Sequence, residues 1–173
     1  MDLDSRCQPI ELMLSEVDGV LTDGRLIVDN QGIETKQFHV RDSMAVRLWQ
    51  KAGYRFGVIS SRSSQVVKMR AAELEIDIVR QGSGNKLATA RGIMAEFGLT
   101  PRQVCYLGDE LSDVPVLRAV GLAVAVADAC EEARQAAHYR TTAAGGAGAV
   151  REVVELVLKA QRRWEDVIQP YLT

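Results

Sequence analysis

Four short, continuously apolar runs constrain this chain most: Leu12-Met13-Leu14-Ser15-Glu16-Val17, Phe56-Gly57-Val58-Ile59, Val104-Cys105-Tyr106-Leu107 and Leu122-Ala123-Val124-Ala125-Val126. A strand that is apolar on both faces must be covered on both faces. Between these runs lie stretches at helical spacing, such as Met44, Ala45, Leu48, Trp49 and Ala52, which follow Asp42-Ser43 and stop before Gly53. The same spacing predicts helices over 65–74, 86–97 and 114–120, a further strand over 76–79, and a terminal helix from Ala149 through Val150, Val153, Val154 and Val157. Asp29-Asn30-Gln31-Gly32, set between Leu26-Ile27-Val28 and Thr35-Lys36-Gln37-Phe38, supplies the turn chemistry of a hairpin. Strands alternating with helices predict an α/β fold built on a Rossmann-like, doubly wound parallel sheet.

The 173 residues suit one domain spanning 1–173, and 47% hydrophobic against 25% charged residues excludes wholesale disorder. Lys and Arg total 21 against 23 Asp and Glu, a net charge of −2, which argues against nucleic acid as a partner. No apolar run approaches the roughly 18 residues of a membrane span, and residues 1–11 are too polar for a signal peptide. Three widely spaced cysteines form neither a disulfide framework nor a zinc cluster. The expectation is a cytoplasmic protein without a membrane partner.

In doubly wound sheets ligands bind beyond the carboxyl ends of the strands, where strand order reverses. Polar residues gather at four such ends: Glu16 and Asp18, the cluster Ser60-Ser61-Arg62, the 81–86 loop with Lys86, and Asp109 to Asp113. Acids emerging from buried strands suit a hard cation such as Mg²⁺, which takes oxygen ligands. Each acid alone reads equally well as a helix cap or a solvated loop residue; Asp113 before Val114-Pro115 has the look of a cap. Lys86 and the serines would supply donors to a phosphate, although each alone is as readily a solvated or turn residue. Gly82-Ser83-Gly84 fits neither of the common phosphate-loop spacings.

The segment Glu16-Val17-Asp18-Gly19-Val20-Leu21-Thr22-Asp23-Gly24 resembles the DxDGVxTDG signature of haloacid-dehalogenase-type phosphatases. It is closest to their small cap-less branch, which acts on the 8-phosphate of 3-deoxy-D-manno-octulosonate (KDO). The resemblance continues through Phe38-His39-Val40-Arg41-Asp42, Ile59-Ser60-Ser61-Arg62, Lys86, Leu107-Gly108-Asp109-Glu110-Leu111-Ser112-Asp113 and Gly145-Gly146-Ala147-Gly148. It implies the haloacid-dehalogenase-like fold, with a hairpin flap at about 25–39, a terminal helix and tail at about 149–173, and no cap domain. It further implies a two-step phosphoryl transfer with Glu16 at the nucleophile position and Asp18 as acid and base. Mg²⁺ would be held by Glu16, the Asp18 carbonyl and Asp109, with Asp113 and Glu110 in support. Ser60, Ser61 and Lys86 would meet the phosphate, and Arg62 and Arg70 the rest of the substrate. Arg62 favours KDO 8-phosphate over the 9-phosphate of the nine-carbon acid KDN, where the family has an acidic residue.

Four positions depart from that pattern. Glu16 replaces the nucleophilic Asp, Ser61 and Ser43 replace Gly, and Glu110 replaces Asp. Glu16 reaches roughly 1.5 Å further than Asp, and a misplacement of about 1 Å can cost on the order of a hundredfold in rate. Two function classes follow: a phosphatase of modified activity, or a catalytically impaired module kept for binding or assembly. The hairpin is too small to stand alone, and Leu26, Val28 and Phe38 lack an obvious partner in a cap-less chain. Burial against copies of itself is therefore expected, in a homotetramer with shared sites as the resemblance also implies, against a hairpin folded back on its own sheet. The stretch Arg162-Arg163-Trp164 to Pro170-Tyr171 is expected either to extend toward a neighbour or to pack Trp164 on its own core.

Overall fold

The computed structural model describes residues 2–173. A short helix, α1 (Leu3–Cys7), precedes β1 (Leu12–Ser15), whose residues are all buried. Two-residue strands β2 (Ile27–Val28) and β3 (Glu34–Thr35) pair antiparallel in a hairpin separate from the main sheet. The chain then alternates through α2 (Val40–Lys51), β4 (Arg55–Ile59), α3 (Gln65–Glu73), β5 (Ile78–Arg80) and α4 (Lys86–Glu96). It continues through β6 (Val104–Gly108), α5 (Val114–Leu117), β7 (Leu122–Ala125), α6 (Glu131–Ala136) and β8 (Tyr139–Arg140) to α7 (Ala149–Ala160) and α8 (Trp164–Ile168).

The six strands of the main sheet are parallel in the order β5-β4-β1-β6-β7-β8. Strand order runs outward from β1 to β5, then jumps back to β6 and runs outward the other way. Because parallel crossovers are right-handed, helices of the two halves fall on opposite faces. Helix packing agrees: α2 and α1 lie against α7, whereas α5 lies against α4 and α6. The Rossmann-like, doubly wound sheet expected from the apolar runs is the observed fold, and the hairpin is the flap expected near 25–39. The reversal of strand order lies between β1 and β6, which directs attention to their carboxyl ends.

Local chemistry explains most boundaries. Helix α7 buries Val150, Val153, Val154, Val157 and Leu158, one continuous helical stripe. Trp49 is fully buried, and its indole N–H donates to the Arg55 carbonyl at 2.7 Å, so the ring fills the core without orphaning its donor. Helix α2 starts at Val40 rather than after Asp42 because the His39 ring nitrogen accepts from the Arg41 N–H at 3.2 Å and caps it. Asp42, 2% exposed, instead accepts from the Arg151 N–H at 2.8 Å and ties α2 to α7. The elements α1, α6, β8 and α8 were not anticipated; each spans two to six residues, too few for a clear period.

One expectation about the surface needs correction. Phe38 does not belong to a free apolar face; it is half-buried against the core and stacks beside Arg70, 5.6 Å from its guanidinium carbon. Of the two readings of the tail, the packing of Trp164 on its own core is observed: Trp164 and Val167 are buried and the Arg163 guanidinium donates to the Ala52 carbonyl at 3.1 Å, while Tyr171 and Leu172 beyond them stay exposed. Ala52 leads into the amino end of β4, so the tail sits at the opposite end of the sheet from the strand termini that carry the acids.

Candidate active site

Register brings the polar strand ends together. Ser15 of β1 is level with Val58 of β4 and Leu107 of β6. Glu16, Ser60 and Asp109 each lie one or two residues beyond that line, so all three emerge at one rim. The Glu16 N–H continues the ladder to the Leu107 carbonyl at 3.0 Å, and the Ser15 hydroxyl donates to the Glu16 carbonyl at 2.6 Å. Gly19 has φ +93°, and a Cβ there would fall 2.0 Å from an Asp109 carboxylate oxygen. Glycine is thus required by space as well as by conformation, and the first acidic loop seats directly against Asp109.

The result is an open cleft lined by Glu16, Asp18, Ser60, Ser61, Arg62, Lys86, Asp109, Glu110 and Ser112. At its floor Lys86, the first residue of α4 and 5% exposed, pairs with Glu16 Oε2 and with Asp113 Oδ1, the latter at 2.5 Å. Glu16 Oε1 accepts from the Val17 N–H at 2.9 Å. Asp113 is fully buried and does not cap α5. Its Oδ1 also accepts from the Tyr106 hydroxyl at 2.6 Å, and its Oδ2 accepts the N–H groups of Asp109 at 3.0 Å and Glu110 at 3.1 Å. With both oxygens engaged, Asp113 positions Lys86 and the 109–110 backbone. Glu110, exposed at the rim, folds its carboxylate onto the Leu111 N–H at 2.6 Å.

Electrostatics at the floor follow from burial. Desolvation raises the Glu16 carboxyl above its ordinary range, although Lys86 and the Val17 N–H pull the other way. Burial works against the Lys86 ammonium, but Asp113 and Glu16 outweigh it and hold the lysine above its usual value. Asp109 is pushed up to about 8 by burial first, then by the charges of Asp113 and Glu16. Its Oδ1 is buried without a hydrogen-bond partner. Three carboxylates thus face one ammonium, an excess of negative charge with one oxygen free. That donor set fits a hard divalent cation. Among the described residues no three His, Cys, Asp or Glu side chains form a ready-made metal cage, so a backbone oxygen would have to complete the set.

The flap closes the opposite wall. Lys36 pairs with Asp18 Oδ1 and lies 3.2 Å from Glu34, while Arg62 lies 3.5 Å from Asp18 Oδ2 and 3.0 Å from Glu34. Ser64, which caps α3, donates its hydroxyl to Glu34. Glu34, Lys36, Ser64 and Tyr106 escaped the sequence reading. Glu34 and Lys36 do share one face of a strand at i and i+2, and a tyrosine inside an apolar strand needs a partner for its hydroxyl. Arg70 lies outside the cleft: its guanidinium is held by Ser43 and by Glu73 at 2.5 Å, and it borders a separate, largely apolar cavity with Phe38 and Val67. In the 82–84 loop the Gly82 and Ser83 N–H groups donate to the Arg62 and Ser60 carbonyls, at 3.2 and 3.0 Å, and so are not free for a phosphate.

The haloacid dehalogenase-like hydrolase family matches residues 69–153. The 3-deoxy-D-manno-octulosonate 8-phosphate phosphatase KdsC of Yersinia pestis is 41% identical over 95% of this chain and 88% of its own. The phosphatase of the same description from Moraxella catarrhalis, solved with magnesium, phosphate and KDO, superposes with a TM-score of 0.95 at 37% identity, covering 97% of each chain. The cobalt-bound Haemophilus influenzae phosphatase gives a TM-score of 0.92 at 34% identity, over 97% of this chain and 99% of that one. On this identity and coverage, the chain belongs to the haloacid dehalogenase-like hydrolases, in the family of the 3-deoxy-D-manno-octulosonate 8-phosphate phosphatases.

Proposed function

We propose that this chain is an Mg²⁺-dependent phosphatase that releases phosphate from a 2-keto sugar-acid phosphate, KDO 8-phosphate in first place. The observation that carries this reading is the convergence of Glu16, Asp18, Lys86 and Asp109 at the carboxyl ends of β1 and β6, with Ser60 and Arg62 at β4. Glu16 attacks phosphorus, and the bond to the sugar oxygen breaks as Asp18 supplies that oxygen with a proton. Water then displaces the phosphate from Glu16 while Asp18 takes up its proton. Lys86 and the Ser60 hydroxyl orient the phosphate oxygens and offset their charge. Glu16, Asp109 and the Asp18 carbonyl would hold Mg²⁺, which supplies charge neutralisation for the transferring group. Arg62 faces the sugar acid.

Phosphate release from KDO 8-phosphate, KDN 9-phosphate and a neutral sugar phosphate, with and without Mg²⁺, tests the reading. Release should need Mg²⁺ and be fastest with KDO 8-phosphate. A preference for KDN 9-phosphate overturns the substrate assignment. No release, in this chain or in Glu16→Asp, leaves the binding or assembly module. Domain extent is read as one unit over 1–173, and among the described residues no helix is long and apolar enough to cross a membrane.

The assembly belongs to the same proposal. Leu26, Val28 and Ile33 on the flap are 54%, 57% and 58% exposed, although the polar side of the hairpin folds onto its own cleft. Association of flaps into a homotetramer buries these residues and protects the strand edges. Light scattering should give about four times the 19.0 kDa chain mass, and a monomer rejects it.

A further inference from the structure

The flap and the cleft wall together close a ring of alternating charges. Lys36 bridges Asp18 and Glu34; Arg62 bridges the same two acids from the other side. Ser64 donates to the second oxygen of Glu34. Two acids and two bases leave the ring neutral, and the Lys36 side chain is 1% exposed. An incoming carboxylate therefore gains Arg62 and Lys36 only when one of the ring's own carboxylates gives way.

Asp18 is the poorer candidate to leave, because it sits two residues beyond the Glu16 N–H that is fixed in the sheet ladder. Glu34 has one more rotatable bond and belongs to a two-residue strand outside the main sheet.

We propose that Glu34 is a specificity-determining residue whose carboxylate stands at Arg62 and Lys36 in place of the substrate's carboxylate and is displaced by it. This rests on the sugar-acid reading above. Exchange of one carboxylate for another leaves the cations paired. A neutral sugar phosphate that pushed Glu34 aside would leave two cations with one partner fewer. The ring thereby selects phosphorylated sugar acids over neutral sugar phosphates, a discrimination made by a cost imposed on the wrong ligand.

Calorimetric titrations of the full chain with Mg²⁺ present test this, using KDO and inorganic phosphate as separate probes. Glu34→Gln keeps the shape and an acceptor for Ser64 but removes the competing charge. It should tighten KDO binding by roughly tenfold, the worth of one charge-assisted hydrogen bond, with phosphate affinity changing by a clearly smaller factor. Unchanged or weaker KDO binding in Glu34→Gln, where the unaltered chain binds KDO, overturns the displacement. An equal gain for phosphate also overturns it, since that is a general charge effect. If neither protein binds KDO while both bind phosphate, the sugar-acid reading falls and the displacement with it.

Discussion

Glu16→Asp is expected to raise the rate of phosphate release by about ten- to a thousandfold, the range that restoring a misplaced reacting group recovers. The backbone at this position cannot retreat to accommodate the longer side chain. The Glu16 N–H is bound to the Leu107 carbonyl at 3.0 Å, and its carbonyl accepts the Ser15 hydroxyl at 2.6 Å. The extra methylene is taken up by the side chain, whose carboxylate turns back onto the Val17 N–H and onto Lys86. Both oxygens are then engaged, so attack on phosphorus requires one of these contacts to be given up. Aspartate would hold its carboxylate roughly 1.5 Å nearer the strand. An unchanged or lower rate, in a variant with a normal melting curve and intact Mg²⁺ binding, rules out a misplaced nucleophile.

The main sheet was legible because its central strands are apolar on both faces, a pattern that admits little besides a sheet covered on both sides. The strand-end residues were legible by the same logic: a buried strand delivers whatever follows it to one rim, and β1, β4 and β6 share a register. What depends on side-chain direction was not legible. Arg70 lies one helix away from the Ser60 loop, yet its guanidinium is caught by Ser43 and Glu73 and turned toward another cavity. In the sequence Lys36 is only part of the segment flanking the hairpin turn, and the fold of the flap over Asp18 is what buries it. Asp113 has every feature of a helix cap in the sequence. The close approach of Lys86, Tyr106 and two N–H groups diverts its carboxylate from the helix it precedes.

Asp109 contributes to the response of the metal-free protein to pH. Its carboxyl rises from an ordinary 3.8 to about 8 in the fold. Between those values the folded chain binds more protons at this site than the unfolded chain, so stability falls as pH rises through the interval. The penalty is absent below about 4 and complete above about 8. A divalent cation on the free Asp109 oxygen favours the ionised form, so it competes with the proton and stabilises most where the penalty is greatest. At about a hundredfold excess over Kd, a ligand confined to the folded state contributes about 2.7 kcal/mol. For a chain of this size that raises Tm by roughly 5–10 °C. The Mg²⁺-induced rise in Tm should therefore be large at pH 8.5 and small at pH 5.5. Asp109→Asn should abolish most of it and reduce the metal-free pH dependence, because the amide neither titrates nor carries the charge that the cation needs. Asp113→Asn should retain more of the Mg²⁺ effect, since both Asp113 oxygens already accept hydrogen bonds from the protein. An Mg²⁺ shift in Asp109→Asn as large as in the unaltered chain would place the cation elsewhere.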